Sequence, residues 1–483
     1  MGRSAVINLA LFAFVALVLV VAASAARRTH HAADFLVASR RLGAALAAGG
    51  YVGSATNAWM LLLMSGAAFT FGLSAVWLWG SFVFSALVSW FYIAPRLRTL
   101  SAAHNAHTST QLIGADAGDR LQPWITRSAA LIALLFLGLL VAVLVRSAAG
   151  LLYLDSQFDI AKVVTLAIVL ICACVLVGGL RAASMCDGIQ AMLMAGVSIL
   201  LTIPAVFALG NWELLLASAS LEPALTDWFG GKRGVVALAV AVGAFALGFA
   251  VAGQPHAMAR FIAIKDEVAL RRARWLALAW TALTLAATML CGWCARLLYD
   301  GLDNPEDALY ALATRLLPPW LSALFVCALF AALVLSLASP MLALASQLAI
   351  DLRRATSPLS ISLTRGLLVL IGLLAIFLAT LTPLTVLDHG VLAFTALGAS
   401  SGPLLLVRLS GKRLRPGSIL GAMWAGCILT LLFHLLPDSP GDFLERVLPF
   451  VAALGIALTG GERRRNPDRA DRAQETVHDR IPI

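Results

Sequence analysis

The residues able to do chemistry are few, and they stand inside long apolar runs. Gly53-Ser54-Ala55-Thr56-Asn57 interrupts one such run, and Trp59 follows two residues later. Small and polar residues weaken a helix, and lipid offers no partner for a freed backbone group. A loosened helix is therefore tolerated only where it faces protein or lines a cavity. Binding of an ion or solute at the loosened point is one reading of this stretch. Close packing of two helices through small side chains is the other. A second run, 234–259, carries Gly243, Gly248 and Gly253 and then Gln254-Pro255-His256. Its proline removes a backbone donor and kinks a helix. Arg146 is a charge inside a span, a position that marks a functional candidate by default. It suits either snorkelling toward Asp155 and Asp159 or lining an outer vestibule that attracts an anionic solute. His256 and His389 stand in or beside spans and suit hydrogen bonding or proton carriage. Cys291-x-x-Cys294 lacks a second pair and reads as packing. No nucleophile with a base, metal cluster or phosphate loop occurs in a plausible site, which argues against an enzyme.

The elements that must position these residues follow from composition. Of 483 residues, 61% are hydrophobic and only 12% charged, about half the charge of a soluble domain. The apolar runs are too long for barrel strands, so the chain reads as an all-α polytopic membrane protein. The runs lie near 5–26, 43–65, 72–94, 128–152, 160–180, 187–209, 234–259, 275–297, 317–349, 364–382, 384–407, 417–436 and 442–460, thirteen candidate transmembrane helices. The first reads as a retained helix rather than a cleaved signal. The 317–349 run exceeds one crossing and should tilt, bend or extend beyond the bilayer.

Charge sets the orientation. Of the 35 Lys and Arg, 27 fall on alternate segments beginning with loop 27–42, seven fall on the other side, and Arg146 lies within a span. The positive-inside rule then places the N-terminus outside and the C-terminus in the cytoplasm, as in a bacterial-type inner membrane. The net charge of +10 is spread over loops and tail, so nucleic acid is not implied. Segment 301–316 reads as a loop helix over the outer face. The tail, 461–483, lacks an apolar face and reads as a disordered basic cytoplasmic segment. Residues 1–460 form one transporter-like domain, with no appended kinase or other soluble domain expected. The partners implied are a small-molecule solute and the lipid bilayer.

Six motifs occur in order: Asp34-Phe35-Leu36-Val37-Ala38-Ser39-Arg40; Ser54 to Gly66 with Trp59; Gly178-Gly179-Leu180-Arg181 with Asp187-Gly188-Ile189-Gln190; Gly253-Gln254-Pro255-His256 with Ala259-Arg260-Phe261; Ala331-Ala332 to Asp351-Leu352; and Gly398-Ala399-Ser400-Ser401-Gly402-Pro403. Together they resemble the sodium/solute symporter family, and especially its sodium/proline symporters, over about residues 5 to 460. The resemblance implies a leucine-transporter-type fold of two inverted five-helix repeats, about 43–209 and 234–407, each with a broken first span. It implies one sodium ion held by the carbonyls of Gly53, Thr56 and Ala332 and the hydroxyl of Ser336. The solute site is expected at Ser54, Asn57, Trp59, Leu247 and Val251, with Gln254, Pro255 and His256 in gating or structural roles; Arg146, read from its in-span charge alone, is a further solute-binding candidate.

The chain departs from the pattern. Leu335 stands where the family places a second hydroxyl ligand, and Ala55 where the proline symporters carry an aspartate. Aliphatic residues stand at Leu247, Val251 and Val141 where the proline transporters have aromatics. The function implied is secondary transport of an amino acid or carboxylate by alternating access, driven by sodium. Proton-coupled or uncoupled transport on the same fold is the alternative, and so is a solute sensor that does not transport.

Overall fold

The computed structural model describes residues 3–463 apart from 116, 154–159, 211–222, 300, 352–360, 382–385 and 438. Helices make up nearly all of it. In chain order, the first stretch holds α1 (Arg3–Ala26), α2 (Ala32–Val37), α3 (Ala44–Thr56), α4 (Trp59–Phe71), α5 (Val76–Val88), α6 (Ala94–Ala103), α7 (Ser109–Ile113), α8 (Gly118–Tyr153) and α9 (Ile160–Ala208). The second holds α10 (Gly234–Ala246), α11 (Pro255–Ala263), α12 (Glu267–Leu298), α13 (Ala308–Leu316), α14 (Pro319–Leu335) and α15 (Ala338–Asp351). Then come α16 (Ile361–Leu381), α17 (Val386–Leu409), α18 (Pro416–His434) and α19 (Phe443–Thr459). Two three-residue strands, Lys412–Leu414 and Gly461–Arg463, pair antiparallel.

Among the described residues, nine helical stretches are long and apolar enough to cross a membrane. Of the thirteen spans read from the sequence, two pairs run together in single stretches, and the described helical stretches within 364–382 and 442–460 are shorter than the rest. Trp59–Ala103 runs 45 residues and Lys162–Ala208 runs 47, each about twice the 20 residues one crossing needs. The second bends at Gly179, whose φ of 51° is left-handed. There the backbone presses on Phe35, with a would-be Cβ 2.8 Å from the Phe35 Cα, so only glycine fits. The Gly178-Gly179 pair therefore seats the loop that carries α2. The helix of the long 317–349 run is interrupted by a turn at Ser336 and Leu337, between α14 and α15. Segment 301–316 contains α13, whose buried Leu309 and Leu312 pack it onto the bundle. The acidic loop residues Asp155, Asp159, Glu213, Glu222 and Asp300 lie outside the described residues, and so does the tail beyond 463.

The loop after α2 is pinned at several points. Ala38, Ser39 and Arg40 all have positive φ, a conformation costly for residues with a Cβ. Arg40 offsets that cost. Its guanidinium donates to the Ser101 hydroxyl and carbonyl and to the carbonyls of Ala106 and Ile262. Leu42 and Ile264 form a parallel bridge, with the Leu42 N–H donating to Ala263. These bonds join the start of α3 to the end of α11.

Candidate functional site

Both expected breaks are present. α3 ends at Thr56, α4 begins at Trp59, and Asn57 between them has φ 31° and ψ 159°. α10 tightens into a 3-10 segment, Leu247–Gly253, and chain direction changes at Gln254 before Pro255 opens α11. In an unbroken helix the Ala58 N–H would meet the Ser54 carbonyl. Here other helices satisfy them separately. The Ala58 N–H donates to Ser336 Oγ at 3.0 Å, and Ser54 O accepts from His256 Nε2 at 3.0 Å. A carbonyl only accepts, so His256 Nε2 carries the proton. The second break is repaired in the same manner. Gln254 Nε2 donates to Ala250 O at 3.1 Å and to Phe394 O at 2.9 Å, while Ser401 Oγ donates to Gly253 O at 2.8 Å. Gly398 lies against Ala250, and a Cβ on Gly253 would stand 2.7 Å from the Gly398 Cα. The Gly398–Pro403 motif thus seats α17 on the 3-10 segment and supplies Ser401 to it.

Of the residues expected to hold sodium, Ser336 is bonded both to Ala332 and to the first break. Ser336 Oγ donates to Ala332 O at 2.8 Å while accepting from Ala58, which places the α14 end beside the first break. Gly53 O, one turn away, accepts from Gln190 Nε2 at 3.1 Å. Gly53 is there for close approach: a Cβ would come 2.7 Å from the Asp187 Cβ on α9. Thr56 turns its own hydroxyl back to Val52 O. Asn57 is fully buried, and neither its Oδ1 nor its Nδ2 has a partner. It is the one buried amide side chain, among the described residues, with both ends open. Leu335 and Ala55 are buried and bring no side-chain oxygen.

The residues expected to meet solute are all buried: Ser54, Asn57, Trp59, Leu247 and Val251. The Ser54 hydroxyl donates to Gly50 O within its own helix, so its carbonyl rather than its side chain faces another element. Trp59 packs edge-on against Phe394, centroids 5.8 Å apart, and Phe394 lies 6.2 Å from Phe82. The three rings run in a row from Trp59 through Phe394 on α17 to Phe82 on α5. Sequence reasoning missed both phenylalanines, because single aromatics in apolar runs carry no positional signal. Arg146 does not join this group. It is exposed on α8 while Val145 and Ser147 beside it are buried, and its suggested partners Asp155 and Asp159 are outside the described residues.

Sequence reasoning also missed a buried ion pair. Arg260 on α11 and Asp187 on α9 are 1% and 0% exposed and bonded to one another. Both belong to motifs already singled out, but their pairing depends on a contact 73 residues apart in sequence.

Residues 35–428 match the Sodium:solute symporter family. The chain is 28% identical over 441 residues to the high-affinity proline transporter PutP of Bacillus subtilis, covering 87% of this chain and 90% of that one. It is 25% identical to the sodium/proline symporter of Haemophilus influenzae, covering 88% of each. Among solved structures, a Na+-coupled sialic acid symporter in a substrate-bound outward-open state superposes with a TM-score of 0.78 at 16% identity, over 95% of this chain and 99% of that one. With the two broken helices, that likeness establishes the leucine-transporter-type fold. The chain belongs to the sodium:solute symporter family and is a sodium-coupled solute transporter.

Proposed function

We propose that this transporter imports a small amino acid or carboxylate through one site at the first break. The observation that carries the reading is Asn57. A buried polar group without a partner costs about 1–3 kcal/mol, and a side chain that bears this at a helix break is placed for a ligand. In this reading sodium binds the carbonyls of Gly53, Thr56 and Ala332 and the Ser336 hydroxyl. Asn57 Oδ1 adds an oxygen where Leu335 and Ala55 have none, since a hard cation favours oxygen ligands. The solute rests on Trp59, Phe82 and Phe394, with Leu247 and Val251 as its aliphatic wall and the Asn57 amide N–H directed to it. Gln254, Pro255 and His256 keep the second break in register.

Repeat one runs over about 43–209 and repeat two over about 234–407, within a single domain ending near 460. The N-terminus lies outside and the C-terminus inside a bacterial-type inner membrane, as the Lys and Arg distribution indicates. Arg146, exposed near the outer end of α8, draws acidic solutes toward the entrance. The relatives named above act on proline or sialic acid, and both belong in the test panel. The test is uptake into proteoliposomes across amino acids and organic acids, with sodium and pH gradients varied separately. Sodium-driven uptake of one of these solutes is expected. Uptake indifferent to sodium would overturn the ion site drawn here, and no uptake of any compound would favour a sensor.

A further inference from the structure

We propose that the Arg260–Asp187 pair, with Ser339, is a latch that holds the α3–α11 pair closed against α9 and α15, and that it must part for solute to leave. The inference rests on the transport reading only for what passes the gate.

The two half-helices that carry the breaks behave as one unit. His256 is bonded to Ser54 in their middle, and the Leu42–Ile264 bridge joins their ends. The latch is the charged tie of this unit to its surroundings, beside the Gln190 Nε2 bond from α9 to Gly53 O. Arg260 donates to Asp187 Oδ2 and to Ser339 Oγ, and Ser339 Oγ donates to the same carboxylate oxygen at 2.6 Å. One carboxylate therefore joins α9, α11 and α15. α3 presses on both partners: a Cβ on Gly50 would meet the Arg260 side chain at 3.3 Å, and Gly53 abuts Asp187.

Two features argue for switching rather than stability alone. First, the pair is incompletely satisfied, because Asp187 Oδ1 and Arg260 Nε have no partner. A buried ion pair so held is weak evidence for stability, since desolvation cancels much of its attraction. Second, the latch borders space. Arg260 and Ser339 line a cavity of about 30 Å³ together with Pro255, Ser346 and Gln347, room for about one or two waters. A neighbouring cavity of about 20 Å³ shares Ser109, Pro255 and Gln347, and Gln347 Nε2 donates to Thr110 Oγ1 at 3.0 Å. Ser109 and Gln347 thus stand on the walls of both small cavities, which lie between the second break and α7, with the latch bordering the first. Ser339 also lies three residues, just under one helical turn, beyond Ser336, so movement at the proposed ion site reaches the latch directly.

The test uses Ser346→Cys in solubilised full-length protein without solute. Maleimide labelling is resolved by mass spectrometry, so the seven native cysteines do not interfere. Labelling should be slow in this parent and about tenfold faster when Asp187→Asn and Arg260→Gln are combined, the shift expected when a closed state loses its tie. The double change leaves no lone buried charge, so folding is spared. Arg260→Lys, which keeps the charge, should label at the parental rate, and Ser339→Ala should fall between. A cysteine at buried Ser322 on α14 reports general loosening. Unchanged labelling in a folded double variant would overturn the latch, as would equal acceleration at Ser346→Cys and Ser322→Cys. Either result leaves the transport reading standing, because the measurement involves no solute.

Discussion

Gly53→Ala isolates the contact that places the first break. The added methyl would stand 2.7 Å from the Asp187 Cβ, 2.8 Å from its carbonyl carbon and closer still to its carbonyl oxygen. Ordinary contact begins near 3.4 Å, so the carbonyl oxygen, the nearest atom, requires α3 and α9 to separate by about 1 Å. The obstacle is largely backbone and cannot rotate away. Overpacking of this kind costs about 1–3 kcal/mol, and a backbone clash belongs at the upper end. If the cost falls on the sodium-bound arrangement, about 3 kcal/mol raises the half-saturating sodium concentration roughly a hundredfold. The control is Gly138→Ala on α8, where a Cβ meets nothing within 4 Å. There alanine should be neutral or stabilise by up to about 1 kcal/mol through helix propensity. The assay is initial uptake rate against sodium concentration in proteoliposomes, paired with thermal unfolding. A Gly53→Ala protein with the parental sodium dependence would refute the reasoning, whatever its melting temperature.

Three other outcomes follow from the same geometry. Asn57→Ala deletes no protein hydrogen bond, so thermal stability should hold or rise by about 1 kcal/mol while apparent affinity for sodium or solute drops about tenfold; a melting loss without that drop would show Asn57 to be structural. His256→Leu strips the donor from the buried Ser54 carbonyl and should cost about 1–3 kcal/mol in thermal unfolding, with His256→Gln recovering part of it. Asp34, in the loop outside the spans, is held below the usual carboxylate range by the Ser39 hydroxyl, with the N–H groups of His30 and His31 adding to the effect against a small burial cost. A depressed value adds stability above the unfolded value of about 3.9 and loses it as pH falls through the folded one, so protection factors over residues 30–40, after correction for the intrinsic pH dependence of exchange, should be steady from about pH 7 to 5 and fall only below about 4.

The breaks were legible because lipid makes a weakened helix a conspicuous choice, and Gly53 to Asn57 and Gly253 to Pro255 are conspicuous by type alone. Their repair was not legible. Ser336, His256, Gln254 and Ser401 were visible as polar residues in spans, but which orphaned group each one reaches is a fact of tertiary contact. Phe82 and Phe394 were hidden for the opposite reason, since nothing distinguishes them from other aromatics in apolar runs. Arg260 was counted among the loop charges that set orientation, a sound use of a basic residue near a span end that overlooked its burial. The two spans read at 160–180 and 187–209 correspond to one continuous stretch, α9, that is itself two helices meeting at a kink at Gly179, close to where hydropathy divides them.

The repair of the breaks is also what makes the remaining orphans informative. Both ends of the opened α3–α4 bond have found partners, and so have the Ala250 and Gly253 carbonyls at the second break. Apart from Gln254, which reaches back four residues to Ala250, those partners come from other elements, so the fold spends His256 of α11, Ser336 at the end of α14 and Ser401 of α17 on closing backbone gaps. The same neighbourhood leaves both ends of the Asn57 amide and the Trp59 indole N–H open. The positive φ at 57 favours asparagine over leucine through the backbone, but it supplies no partner for the buried amide. That an amide stands there, on a left-handed residue between two helix ends, is explained if the missing partners arrive with the transported ion and solute. The open groups then account for the link between them, since one amide offers an oxygen to the cation and N–H donors to the solute, and neither is fully held without the other.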